Sequence, residues 1–286
     1  EALGMGFDIA SGLHNLLRDE DELVAAARVN GQTLFDVRIP SVAYPIASGV
    51  KRKGKRILAV GTDCSAGKMY TALCMDAEMR ARGMKSTFRP TGQTGILITG
   101  GGVPLDAVIA DFMAGAVEYL TPDNDADHWD HIEGQGSLFH ASYSGVTLAL
   151  IHGGQPDALI RCHEPTRKHM RGLPDYTLPS LETLRDTALP LAQVSNPACQ
   201  VVGVSVNTQH MSEQDARTYL ENFLEHNTDE RLATLAKMEL EGISLYKDAP
   251  AETSEVTLEN IGRKTNSSFS EYSPVLSGDG NTLYFS

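Results

Sequence analysis

The stretch RILAVGTDCSAGKMYTAL, residues 56 to 73, limits the possible folds more than any other part of the chain. A short apolar run leads into a loop with glycine at 61 and 67, then Lys68, then a pattern that continues without Gly or Pro to Arg82 and stops at Gly83. The run predicts a buried strand and the continuation a helix. A helix that starts where a strand ends aims its unpaired N–H groups and the positive end of its dipole at the strand's carboxyl edge, which favours an anion beside Ser65 to Lys68. Lys68 adds a full charge, so phosphate or pyrophosphate is the expected ligand. The next stretch, KSTFRPT, predicts a second strand, and two strands joined through a helix form a parallel crossover.

Later segments extend the alternation. GVTLALIHG at 145–153, ALPLAQV at 188–194 and QVVGVSVN at 200–207 read as strands, with helices predicted over 104–119 and 212–225. The predicted class is α/β, a doubly wound and mostly parallel sheet of P-loop type with its ligands at the carboxyl ends of the strands. Ahead of it, GLHNLLRDEDELVAAAR at 12–28 spaces Leu13, Leu16, Leu17, Leu23 and Ala27 as an amphipathic helix, and TLFDVRI follows as a strand. The basic run KRKGKR at 51–56 reads as a solvated linker or as an attractor for an acidic ligand, and a boundary is placed near residue 50. Beyond residue 228, ERLATLAKMELEG predicts a short helix and YSPVLSGDGNTLYFS a hairpin turning at Asp279-Gly280-Asn281. The expected domains are residues 1–50, 51–228 and a tail at 229–286. The hairpin is similar to one strand-turn-strand motif of TolB-type propeller repeats, and either stands apart or lies on the main domain.

Composition narrows the function. A formal net charge of -13 argues against a general polyanion binder, and no apolar run approaches the roughly 18 residues of a membrane span. Cys64, Cys74, Cys162 and Cys199 form no CxxC pair, which suggests neither zinc nor a disulfide framework and fits a reducing cytoplasm. Glu1 opens the chain with no signal-peptide order behind it, as in a fragment of a longer protein.

The loop has one unusual letter. Loops that hydrolyse nucleotides carry Ser or Thr after the lysine to hold magnesium, and here the residue is Met69, a soft thioether. Thr71 or Asp63 offers an oxygen that keeps an ATP-dependent reading open. The spacing Gly61, five residues, Gly67-Lys68 is similar to the GTDTxVGKT loop of dethiobiotin synthetase. A pyrophosphate that is held and not cleaved fits better, and coenzyme A carries one far from its thioester.

GTDCSAGKMYTAL, FRPTGQTGILITGGGVPLDAVIADF, HIEGQGSLFHASYSG, RCHEPTRKHMRG and VVGVSVNTQHMS together resemble the D-glutamate N-acetyltransferase family, P-loop proteins long catalogued as a domain of unknown function. The resemblance runs from about residue 10 to about 227, and family members also carry an N-terminal Rossmann-like domain of which helix 12–28 and the strand after it are the expected remnant. It implies transfer of acetyl from acetyl-CoA to the amino group of D-glutamate in D-amino-acid catabolism, and Met69 in the loop adds the expectation of no metal. Gly61, Thr62, Asp63, Ser65, Ala66, Gly67, Lys68, Met69 and Tyr70 are expected to hold the co-substrate, and Asn207 to read its adenine. Glu133, with His131 and His140 behind it, is the expected base. Arg89, Gln93, Arg161 and Arg167, with Lys168, are expected around the substrate carboxylates. The glycines of TGQTGILITGGGVP offer backbone N–H groups to an oxyanion, and Cys162 beside His163 and Glu164 raises a covalent alternative. The expected partners are a small amino acid and further copies of the chain, with no nucleic acid or membrane. The rival readings are an ATP- and magnesium-dependent ligase or kinase and a non-catalytic nucleotide-binding module.

Overall fold

The computed structural model describes residues 1–208, 211–226, 237, 240, 275–276 and 282–285. Its elements are β1 (Asp8–Ser11), α1 (Asp21–Asn30), β2 (Leu34–Asp36), β3 (Lys55–Gly61), α2 (Lys68–Ala81), β4 (Ser86–Arg89), α3 (Gln93–Thr99), α4 (Met113–Leu120), β5 (Trp129–Ile132) and α5 (Ser144–Gly154). They continue with β6 (Ala158–His163), β7 (His169–Met170), β8 (Leu173–Thr177), α6 (Leu181–Ser195), β9 (Gln200–Val206), α7 (Glu213–His226), β10 (Val275–Leu276) and β11 (Thr282–Phe285). Five strands form a parallel sheet in the order β4-β5-β3-β6-β9. The central strand β3 is apolar and buried from Ile57 to Val60, as a strand covered on both faces must be. Its neighbours lie on both sides, so the strand order reverses beside its carboxyl end and opens a crevice there.

Two expected strands are helices in the structure, each for a physical reason. GVTLALIHG is not a strand but helix α5, which packs against α4, α6 and β3. With Leu150 and Ile151 fully buried and partners on several sides, the helix shows no polar stripe, and its 3.6-residue period is hidden. ALPLAQV is likewise the second half of α6, whose Pro190 lies inside the helix. Ser180 caps α6 by accepting from Thr183 N. Strands β5 and β6 fill the sheet positions left by these two reassignments. The predicted helix over 104–119 is short 3-10 turns followed by α4, and the helix over 12–28 begins only at Asp21.

The basic run is engaged at the amino end of the sheet. Arg52 donates to Thr121 O at 2.7 Å and Gly153 O at 2.6 Å, Arg56 donates to Lys53 O at 2.9 Å, and Lys51 pairs with Asp157 at 3.1 Å. Fully buried Arg56 is thus a structural cation rather than part of a solvated linker. Tyr44 joins the main core with Leu58, Val117 and Leu150, which places the change of domain before residue 44 rather than near 50.

A second sheet runs β10-β11-β1-β2. Strands β10 and β11 are antiparallel, as the expected hairpin requires, and β11 pairs in parallel with β1 from Asp8↔Thr282 to Ser11↔Phe285. The turn between them and the helix expected at 230–242 fall mainly outside the described residues. The chain divides into two compact units, Glu1–Val206 with Ser268–Ser286, and Asn207–Ser267. Within the second, Ser212 caps α7 by accepting from Asp215 N at 3.1 Å.

A Cβ on Gly153 would lie 2.3 Å from Ala114 O, so α4 and α5 touch backbone to backbone there. Gly153→Val should destabilise the protein by about 1–3 kcal/mol through overpacking, read as a lower urea midpoint with an unchanged m-value.

Candidate functional site

The loop after β3 leaves the sheet where Thr62 N donates to Cys162 O at 3.1 Å. Gly67, with φ 93°, makes the left-handed entry to α2 that a side chain resists. Ala66 is buried with Ala59, Cys162 and Ile160, which fixes the loop from below, while Ser65 stands exposed at its crest. Lys68 is only 5% exposed and its Nζ donates to Asp63 O at 2.8 Å. Burial pulls its ammonium below the ordinary 10.5. Met69 is half-buried and Tyr70 is exposed, both on the first turn of α2. Thr62 Oγ1 meets His163 Nδ1 at 3.0 Å, and Ser137 Oγ donates to Thr62 O at 3.2 Å.

Asp63 is the organising carboxylate. It is fully buried, its Oδ1 accepts from Cys64 N at 2.7 Å, and its Oδ2 accepts from Arg167 Nη1 at 2.5 Å and Arg171 N at 2.8 Å. Arg167 also donates to Cys64 O at 2.6 Å, to Ser65 O at 3.4 Å and to Glu164 Oε2 at 2.9 Å. The segment after β6 is therefore fastened across the outside of the loop.

Glu133 lies one residue beyond β5, at the carboxyl edge of the sheet. A Cβ on the next residue, Gly134, would lie 1.7 Å from Ala59 O and 2.9 Å from Lys68 Cδ, so the chain here lies directly against the lysine. Glu133 Oε2 accepts from Thr91 N at 2.8 Å and Gly92 N at 3.0 Å, and Gln135 bonds the same carboxylate. Burial pushes the carboxyl above its ordinary 4.5, against the opposing pull of those bonds and of Lys68. A buried carboxylate with a raised pKa beside a phosphate loop has the properties of a general base.

The other expected residues divide sharply. Gln93 opens α3 directly after Gly92, whose N–H donates to Glu133. Arg89 is directed elsewhere, because its Nε donates to Asp130 Oδ1 at 2.7 Å, earlier in β5. Arg161 donates to Leu181 O at 3.1 Å, at the start of α6. Neither guanidinium is brought to the loop, and Arg167 has four acidic or carbonyl partners in place of a free fork. His131 is fully buried with Nε2 3.1 Å from Met79 Sδ, a core position. Cys162 is fully buried under α2, and burial pushes its thiol up, which removes the covalent alternative. Thr91 N and Gly92 N serve Glu133, so those two glycine-segment donors do not face an oxyanion. Lys168 is exposed, and Asn207 follows the end of β9 and belongs to the second unit. Sequence reasoning missed Arg171 and Gln135. Arg171 stood in the quoted segment RCHEPTRKHMRG, but only the hairpin of β7 and β8 turns it back to the loop.

A parallel sheet with a glycine-bounded anion loop at its reversal point defines a P-loop protein of the α/β class. The chain belongs to the family described as a domain of unknown function, DUF1611, whose P-loop domain matches residues 45–237 and whose Rossmann-like N-terminal domain matches residues 1–40. It is 77% identical over 220 residues to a D-glutamate N-acetyltransferase of Tritonibacter scottomollicae, covering 77% of this chain and 66% of that protein. It is 52% identical over 212 residues to a D-glutamate N-acetyltransferase of a Pseudoalteromonas species, covering 74% and 64%. The chain thus spans a little under two thirds of these relatives. A crystal structure of a DUF1611 family protein from Anabaena variabilis matches with a TM-score of 0.71 at 34% identity, covering 83% of this chain and 73% of that one.

Removing Arg167 leaves a fully buried Asp63 without its charge partner. Arg167→Ala should cost about 3 kcal/mol of stability, measured by urea unfolding, with Arg167→Lys recovering part of it.

Proposed function

We propose that this protein transfers the acetyl group of acetyl-CoA to the amino group of D-glutamate. The observation that carries the reading is the 77% identity to a D-glutamate N-acetyltransferase over 220 residues. The geometry supports it in two ways. The loop can hold a pyrophosphate through its N–H groups and Lys68, and Glu133 is a buried carboxylate with a raised pKa next to it. In this reading the Glu133 carboxylate removes a proton from the substrate ammonium. The freed nitrogen lone pair forms a bond to the thioester carbonyl carbon, the carbon–sulfur bond breaks with its electron pair leaving on the CoA sulfur, and that thiolate takes the second N–H proton, so that the products are the neutral amide and CoA thiol. The reading carries a cytoplasmic location, supported by four free cysteines, and a homo-oligomeric state. Among the described residues no helix is long and apolar enough to cross a membrane.

The magnesium-dependent ligase or kinase is less well supported. Of the two oxygens that were to replace the missing hydroxyl, Thr71 Oγ1 donates to Gly67 O at 2.9 Å and bonds Ser205 Oγ at 2.8 Å, and Asp63 is held by Arg167. The test is release of CoA thiol and formation of N-acetylated product with D-glutamate, L-glutamate or D-aspartate as acceptor. Product with D-glutamate is expected. No product with any acceptor, together with magnesium-dependent ATP binding, overturns the reading.

Glu133→Gln keeps the shape and removes the base, so turnover should fall roughly 100-fold or more while acetyl-CoA affinity changes little. Native turnover should fall as pH drops through the raised pKa of Glu133, because only the carboxylate accepts a proton. The same shift acts on stability. The folded state binds this proton more tightly than the unfolded chain does, so Glu133 costs stability as pH rises above its ordinary 4.5 through the raised value. Melting curves should therefore show Glu133→Gln gaining on the native protein between acid and neutral pH.

A further inference from the structure

We propose that Arg171 is a ligand-binding residue that supplies, at the phosphate loop, the positive charge a magnesium ion supplies in metal-dependent loops. The ligand class is a metal-free pyrophosphate ester, which deepens the reading of acetyl-CoA as co-substrate and rests on it.

The first observation is that the loop offers magnesium no suitable set of oxygens. Magnesium takes hard oxygen ligands at near-octahedral positions. Met69 presents sulfur, the Thr71 hydroxyl is held between Gly67 and Ser205, and both Asp63 oxygens accept protein hydrogen bonds. Asp63, Cys64 and His140 do place ligand-type atoms within 4.8 Å of one another. His140, however, has Nδ1 accepting from Ser142 N at 3.2 Å and Nε2 3.0 Å from Arg171 O, so it is engaged at both nitrogens. A cation is already seated where the metal's carboxylate would act, and it is the guanidinium of Arg167.

The second observation is the charge that remains. Arg167 is opposed by Asp63 and Glu164, and Lys68 only restores neutrality among these four. A pyrophosphate brings further negative charge, and the helix dipole alone is a partial compensation. Arg171 is the additional cation at the crest of the loop.

The third is how Arg171 is held. Its N–H donates to Asp63 Oδ2 at 2.8 Å and its carbonyl faces His140 Nε2 at 3.0 Å, so its backbone is fixed on both sides. It sits in the turn between β7 and β8, next to Gly172. From there Nη1 donates to Ser65 Oγ at 2.5 Å, and the residue is exposed. Among the described residues the side chain has no carboxylate partner, and an exposed guanidinium on one neutral hydroxyl does little for the fold. Its remaining planar donors match phosphate oxygens.

The test is isothermal titration in EDTA of the native chain, Arg171→Ala and Arg171→Lys, with acetyl-CoA and with inorganic pyrophosphate as separate probes. Melting temperature serves as the check on folding. Arg171→Ala should weaken both probes about 30-fold, equivalent to about 2 kcal/mol, with an unchanged melting temperature, and Arg171→Lys should recover part of the loss. Binding by Arg171→Ala within about twofold of native, or native binding that disappears in EDTA, overturns the proposal. Undiminished acetyl-CoA binding in Arg171→Ala rejects the role of Arg171 and leaves the acetyl-CoA reading in place. Native binding of pyrophosphate through Arg171 with no binding of acetyl-CoA does the reverse. A native chain that binds neither probe rejects both.

Discussion

Everything distinctive about this site depends on one buried carboxylate. Asp63 has no exposed surface, and a charge in that position is tolerated only when it is paired and hydrogen-bonded. Its partners come from its own loop and from the segment after β6, more than a hundred residues later in sequence, which brings Arg167 and the backbone of Arg171 against the loop. The same interaction therefore sets the shape of the loop, occupies the carboxylate a metal would use, and delivers a second arginine to the crest. Loop shape and charge are one feature here and not two.

Glu133 shows the complementary strategy. It is buried and, among the described residues, makes no salt bridge; Thr91 N and Gly92 N, just ahead of α3, and Gln135 from its own loop steady it. Backbone donors stabilise the charged form without neutralising it, so desolvation still dominates and the group stays basic. Two carboxylates on adjacent parts of one sheet edge thus have opposite fates. One is fastened by a guanidinium and is structural, and the other is held by neutral donors and stays able to take a proton.

The sequence made the centre of this arrangement legible and its periphery obscure. The β3-loop-α2 unit was readable because its signals are local: an apolar run, two glycines, a lysine and a helix stop. Glu133 was readable because it ends an apolar run that had to reach the same edge. Helix α5 was misread because burial on several sides removes the polar stripe, and α6 because Pro190 in ALPLAQV argues against a helix that tertiary packing nevertheless keeps. The arginines failed for another reason. Residue type announces a cation but not its partner, and Arg89, Arg161 and Arg167 each have a partner fixed by sheet register or by a loop that no local pattern reveals. Arg171 escaped notice because its position depends on a short hairpin folding back over the loop.

The pairing of β1 with β11 joins strands from the first dozen residues and the last few described ones. Closing so long a loop adds little to the entropy cost, since each doubling of length adds only about 0.6 kcal/mol, but non-local pairing slows folding. During synthesis β11 emerges after the other described strands, and until then one edge of β1 presents unpaired N–H and C=O groups. An open edge of this kind accepts whatever strand is nearest. The small sheet accordingly stays open to pairing with a neighbour for longer than the P-loop sheet, whose five strands are all available once β9 has emerged.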